Sequence, residues 1–412
     1  MSDRSADEAG PYRRVLANAE ARGLLVAQGA SEVGDQVARV AIALLVLERT
    51  DSAFYAALAL AVAYLPGIAG VAVLGSLADR YPRRALLLRC DLGRAVVIGL
   101  LAVLALLDSP LWAIFGLLFL NELLVAPFGA ARASLYPEVL PDPSTYVAAQ
   151  GLSRTIHLAT QVLGAIVGAA VVGLIGVPMA LALDALTFLV SFAIIRARVQ
   201  PRPVADVPGT SLRRLVGDLG DGARELLGDP VRRALALLGW GSALFLVAPE
   251  AVALAYRPGL PEVVGGALLA AVPAGSAVGA FLLPRVPLRE QVRLLLPLAA
   301  ASCLPLFATS VDPPPAVAAA LWFLAGLLQA YVLTVIAVIT VVTSRARRGR
   351  VLGVASSGFS AATALSFALV GWLATLPSVG PARAVSLAGA AGLVMVAVLR
   401  ALWPTEALDR LF

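Results

Sequence analysis

Twelve runs of about 20 mostly apolar residues follow one another along this chain, each long enough to cross the hydrocarbon core of a bilayer. They fall at 24–47, 54–77, 86–107, 111–131, 152–176, 178–195, 234–256, 264–283, 292–309, 316–342, 352–374 and 383–402. A membrane-spanning strand takes about 10 alternating residues, whereas these runs are continuous and twice as long, so they read as helices. The rest of the composition agrees. Of 412 residues 60% are hydrophobic and 14% charged, against about 25% charged in an ordinary soluble domain. A water-soluble enzyme is excluded, and the fold class is an all-α integral membrane protein.

All 32 basic residues are arginines. Without lysine there is no phosphate-cradling Walker loop and no Schiff-base amine, so the chain is not expected to hydrolyse ATP. A single histidine, His157, cannot write a His-Glu-x-x-His zinc motif, and Cys90 and Cys303 lie in apolar runs without framework spacing. No cofactor, no metal and no enzymatic activity are expected. The first 23 residues mix acids with arginines and read as a cytoplasmic tail, with no signal peptide. With the amino terminus inside, 27 arginines fall in tails or at cytoplasmic ends, three outside (Arg49, Arg257, Arg383) and two within spans (Arg39, Arg94). That distribution obeys the positive-inside bias of a plasma (inner) membrane protein with both termini cytoplasmic. It also removes nucleic acid as a partner, because the basic residues are dealt out between spans and not gathered on one face.

A polar stretch divides the spans six and six. The expected organisation is a tail (1–23), a six-helix bundle (24–195), a cytoplasmic linker (196–233), a second bundle (234–402) and a short tail (403–412). Leu212, Leu215, Val216, Leu219, Leu226 and Leu227 recur at near-helical spacing, which predicts an amphipathic helix on the inner leaflet. Gly75 and Gly279, and Gly151 and Gly353, recur at an interval close to half the chain. Two parallel six-helix repeats of this kind are a transporter architecture.

Between the second and third spans runs Gly75-Ser76-Leu77-Ala78-Asp79-Arg80-Tyr81-Pro82-Arg83-Arg84. This resembles the loop signature of the major facilitator superfamily, Gly-x-Leu-Ala-Asp-Arg-x-Gly-Arg-Arg, with Pro82 in place of glycine. Ser31-Glu32-Val33-Gly34-Asp35, Asp91-Leu92-Gly93-Arg94-Ala95, Leu135-Tyr136-Pro137 and Asp184-Ala185-Leu186-Thr187-Phe188 are similar to segments of its enterobactin and macrolide exporter branch. The resemblance implies alternating access between two bundles. It makes Gly75, Asp79, Arg80, Arg83 and Arg84 a conformational-switch loop, with Asp79 facing Gly353 and Arg132 as its ion partner.

Charge inside a bilayer is expensive, roughly 2.5–3.5 kcal/mol per residue on insertion scales, so the intramembrane charges are the first functional candidates. On the first span Gln28, Glu32, Asp35 and Arg39 form a polar stripe within about 60° of arc. Asp35 or Glu32 is expected to carry a proton with Arg39 beside it. Glu122, next to Asn121 on the fourth span, and His157 on the fifth are further proton-coupling candidates. Gln150, Arg154, His157 and Gln161 share a face of the fifth span, followed by a small-residue contact at Gly164 and Gly168. Arg154 and Gln161 are assigned with Gln28 to the substrate path. Asp91 and Arg94, three residues apart, read as a pair within one helix, and Asp184 as a packing residue. Glu250 is the clear intramembrane acid of the second half, with Arg257 two turns on as its expected partner. Gln329, Tyr331 and Thr334 on the tenth span and Ser356, Ser360 and Thr363 on the eleventh complete the expected substrate path.

These features point to a secondary transporter, most simply a monomeric exporter of a small hydrophobic or amphipathic molecule driven by proton antiport. The alternatives are a proton-independent or symport carrier, including a lysophospholipid-type flippase, and a non-transporting membrane scaffold or sensor.

Overall fold

Gly176 shows how one apolar stretch becomes two spans. Helical pairing runs from Pro143 to Arg198, which at 1.5 Å per residue would extend about 84 Å, far beyond a bilayer. Gly176 adopts φ 76°, a left-handed value that a side chain resists, and Pro178 follows it, so the chain reverses there into a hairpin of the fifth and sixth spans. The computed structural model describes residues 10–67, 81–107, 109–202, 212–344, 347–404 and 406, and every element among them is a helix. Seven of these helices are long and apolar enough to cross a membrane. Ala19–Thr50 and Arg83–Leu106, which hold most of the intramembrane charges, supply the first and third spans.

Helix starts are fixed by side-chain caps. Asn18 accepts the N–H groups of Glu20 and Ala21 at 3.0 Å below the first span, and Asp229 accepts that of Arg232 at 2.8 Å before the seventh. Two spans of the second half are interrupted. The seventh runs Pro230–Leu246 and resumes at Ala248–Val252 around Pro249, and the tenth runs Pro315–Leu328 and Tyr331–Val342 with a break at Gln329 and Ala330. The amphipathic segment of the linker is helical, Leu212–Gly228, and packs through Gly222 on the backbone of Arg350.

Apolar side chains have no water to escape inside a bilayer, so close backbone approach through small residues carries much of the association between spans. A side chain at Gly164 would meet Gln36 and one at Gly168 the backbone of Val37, which seats the fifth span on the first. Gly34 lies against Asp184 and Thr187 of the sixth span, and Gly275 and Gly326 seat the eighth and tenth spans on each other. The halves meet where Gly371 packs on Phe54 and Ala57, and Gly266 on Ala165 and Ala169. All four contacts lie toward the face opposite the linker.

Candidate functional site

Between the halves lies a cavity of about 830 Å³ lined by the second, fifth, seventh, eighth, tenth and eleventh spans. Most of its wall is apolar, including Leu158, Val162, Val272, Phe281, Leu333 and Phe359. Its polar groups are Tyr64, Arg154, Thr155, Gln161, Glu250, Ser276, Gln329 and Thr363. Arg154 is exposed, near the linker end of the fifth span, while Glu250 lies on the short helix Ala248–Val252 near the opposite face. The cavity therefore carries a cation at one end and a carboxylate at the other.

A second, polar pocket of about 170 Å³ lies inside the first half, lined by Glu32, Asp35, Gln36, Arg39, Arg94, Asn121, Glu122 and His157 among others. A neck of about 20 Å³, room for roughly one water, lies between the two. It shares Gln36 and Arg39 with the polar pocket and Tyr64, Gln161, Glu250 and Pro273 with the cavity. Polar side chains thus run from the carboxylates of the first span to the space between the halves.

Arg94 is the hub of the first half. Its side chain is 3% exposed, forms an ion pair with Asp35, donates from Nε to Asn121 at 3.4 Å and lies 4.1 Å from the centre of the Phe188 ring. One guanidinium thereby ties together the first, third, fourth and sixth spans. The expected pairing of Asp91 with Arg94 is corrected: Asp91 instead accepts from Ser191 at 2.7 Å. Arg94 extends toward the bundle interior, where its planar fork meets an acid, an amide and an aromatic face together. Asp184 accepts from Thr187 at 3.2 Å. Asp91 and Asp184 each keep one buried oxygen without a partner.

Glu32 forms a separate cluster. Its carboxylate accepts from Gln28 at 2.9 Å and Thr160 at 3.1 Å, with His157 Nδ1 at 3.4 Å and Arg132 at 3.7 Å. Gln28 is closed off by Ser153, which donates to it at 2.8 Å, so it positions Glu32 and does not line the cavity. Arg39 shares the polar pocket with Asp35, and its charge acts on that carboxylate. It pairs with neither Glu32 nor Asp35 but stands at the neck, its guanidinium 6.0 Å from the Tyr64 ring centre. Arg39 lies one turn beyond Asp35, past the reach of Arg94 and against the second span.

Gly75, Asp79 and Arg80 of the switch loop lie outside the described residues. Arg83 pairs with Glu138 at the end of the fourth span, and Arg84 donates to the Arg196 carbonyl at 2.8 Å. Arg154 and Gln161 of the first half and Gln329 and Thr363 of the second line the cavity. Tyr331 does not: it is fully buried within its own bundle, while its neighbours Ala330, Val332 and Leu333 face the cavity. Thr334 donates to Gln291 at 2.7 Å. Ser360 packs against Gly67 of the second span, and Ser356 is exposed outside the cavity lining. Arg257 is corrected as the partner of Glu250, since it pairs with Asp312 at 3.2 Å in the loop. Tyr64 and Pro273 escape sequence reasoning. Both sit in apolar runs with no periodic signal, and an aromatic hydroxyl in mid-span was the available clue.

Below the first span, Glu20 pairs with Arg202 and accepts from the Gln200 N–H at 3.0 Å, tying the start of the linker to the first half. Burial works against the charged carboxylate, but the Arg202 hydrogen bond, the Gln200 N–H and the Arg202 charge outweigh it and hold Glu20 below its ordinary value of 4.5. A depressed carboxylate contributes stability above its unfolded pKa and loses it as pH falls through the folded one. Residues 199–202 are therefore expected to stay protected from hydrogen exchange down to about pH 4.5 and to open below it. Glu20→Gln should open them at neutral pH. Equal protection in that variant at pH 7 would remove the tie.

The family model of the Major Facilitator Superfamily matches residues 24–341. An uncharacterized MFS-type transporter of Bacillus subtilis (strain 168), YkuC, is 29% identical over 221 residues, 52% of this chain and 50% of YkuC, so the chain matches about half the length of that relative. Among solved structures, the nucleoside transporter NupG superposes with a TM-score of 0.71 at 13% identity, over 93% of this chain and 98% of NupG. An inward-facing bacterial homologue of the iron transporter ferroportin superposes with a TM-score of 0.68 at 19% identity, over 94% and 99%. A bacterial homologue of the human lysosomal transporter Spinster gives 0.68 at 15% identity, over 98% of each chain. At these identities the structures share the fold.

Proposed function

Since this chain belongs to the Major Facilitator Superfamily, we propose that it is a secondary transporter that exports a small hydrophobic or amphipathic molecule in exchange for protons. The observation that carries this reading is the neighbouring pair of cavities: an apolar chamber between the halves and a polar pocket holding Glu32, Asp35 and Glu122, with a neck at Arg39 between them that shares residues with both. The chamber suits an apolar body. The pocket holds carboxylates on two spans of one half, where gaining or losing a proton alters the charge that Arg39 faces at the interface.

Alternating access follows from the contacts. Among the described residues the halves touch through Gly371 and Gly266 toward the face opposite the linker, and rocking them about such contacts would exchange which face admits the substrate. We place the linker, both termini and the open end of the chamber on the cytoplasmic side of the plasma membrane, on the distribution of arginines.

The test is accumulation of a panel of lipophilic drugs and dyes in cells with and without the protein, repeated with a protonophore. Lower accumulation that the protonophore restores is the expected result. In proteoliposomes, Asp35→Asn combined with Glu32→Gln is expected to cut pH-driven uptake at least tenfold while sparing exchange down a substrate gradient. Undiminished pH-driven uptake in that double variant would remove these acids from coupling.

A further inference from the structure

Among the described residues no ion pair or hydrogen bond reaches the carboxylate of Glu250, although it lies deep in the central cavity. The cations around it are already committed. Arg94 pairs with Asp35, and Arg132 and His157 flank Glu32. Asp91 and Asp184 take hydroxyl donors, from Ser191 and Thr187. That leaves Arg39, which shares the polar pocket with Glu122 on one side and the neck with Glu250 on the other. Glu122 also has the charge of Arg94 and an amide donor, Asn121 at 3.4 Å, so among the described residues Glu250, on the other half, is the carboxylate that has Arg39 across the neck and nothing else. Glu122 faces the closed pocket of the first half. Glu250 faces the chamber that a substrate enters.

A carboxylate against apolar walls with no hydrogen bond or ion pair of its own is unfavourable, and a cation held beside it is attracted more strongly than in water. We propose that Glu250 is the counter-charge for the substrate, and that the molecules this chamber takes are monovalent cationic amphiphiles: a protonated amine or an onium group on a hydrophobic body. The inference rests on the exporter reading above and names its substrate class. Val272, Leu333 and Phe359 supply the apolar wall, and Gln161 and Tyr64 supply the nearest neutral polar groups. Arg154, exposed at the linker end, repels the same charge, so the cationic group is directed toward the deep end of the chamber.

The experiment uses the purified full chain in detergent and two ions of the same size and shape, tetraphenylphosphonium and tetraphenylborate. Wild type is expected to bind the phosphonium at least tenfold more tightly than the borate. Glu250→Gln should weaken phosphonium binding at least tenfold, about 1.4 kcal/mol, without weakening the borate, and Glu250→Asp should recover part of the loss. An unchanged elution profile and thermal transition establish that the variants are folded. Absent phosphonium binding, no charge preference in wild type, or an equal loss of both ions in a folded Glu250→Gln protein would each overturn the proposal. Binding needs no gradient, so the two readings fail separately. Phosphonium binding without gradient-driven transport in proteoliposomes would leave the cation site standing and remove the exporter; transport of neutral compounds without charge-selective binding would do the reverse.

Discussion

Arg94→Leu is expected to lower stability by about 3–5 kcal/mol and to abolish transport, because it leaves Asp35 charged without its partner inside the first half. The loss extends beyond one pair. Asn121 loses the donor at its carbonyl and Phe188 loses the cation on its face, so four spans are released from one point. Removing both charges is a different matter: Arg94→Leu with Asp35→Asn no longer strands a buried carboxylate, and should recover much of the stability while leaving transport absent. Arg94→Lys keeps the charge but not the planar fork, and should fall between the single and double variants. Cys90 and Cys303 are both buried, so a thiol-reactive fluorogenic dye reports thermal unfolding directly. A single variant within about 1 kcal/mol of wild type, or a double variant as unstable as the sum of its parts, would show that Arg94 is not the hub.

The contrast between local and distant pairing marks how much of this site was legible in the sequence. The spans were legible because a bilayer accepts only long apolar helices. The polar stripe was legible because four residues of the first span fall on one face. Its partners were not. Periodicity states which face a residue occupies and says nothing of which neighbouring helix that face meets. A pairing of Asp91 with Arg94 follows from spacing alone, yet the interior offers Arg94 three better contacts on three other spans. Arg257 lies close to Glu250 in sequence, but it emerges into the loop beside Asp312, where pairing requires no burial. Tyr331 and Gln329 are two residues apart, a spacing that does not share a helical face, and only Gln329 lines the cavity. Arg39 is the instructive case: the sequence identified it as an intramembrane cation, but only the packing of the halves puts it at the neck facing Glu250.

Gly275→Val is expected to be the most damaging of the glycine substitutions in the second half. A Cβ there would run into the Phe323 carbonyl, with the Leu327 nitrogen at 2.6 Å, and the reciprocal Gly326 would meet the Val272 carbonyl. These neighbours are backbone, which cannot step aside as the end of a side chain does. Overpacking of a core commonly costs about 1–3 kcal/mol, and a backbone obstruction belongs at or above the top of that range. The eighth span also lines the chamber through Val272, Pro273 and Ser276, so displacing it should reduce transport even in protein that still folds. Gly99→Ala supplies the opposite sign. Nothing lies within 4 Å of a Cβ at that position, and alanine is the better helix former by about 0.8–1 kcal/mol in water, so its thermal transition should stay level or rise. If both substitutions moved the transition equally, glycine would be acting through helix propensity alone; a fall confined to Gly275 would show that the crossing of the eighth and tenth spans depends on backbone contact, which is what helix association needs where lipid offers no hydrophobic driving force.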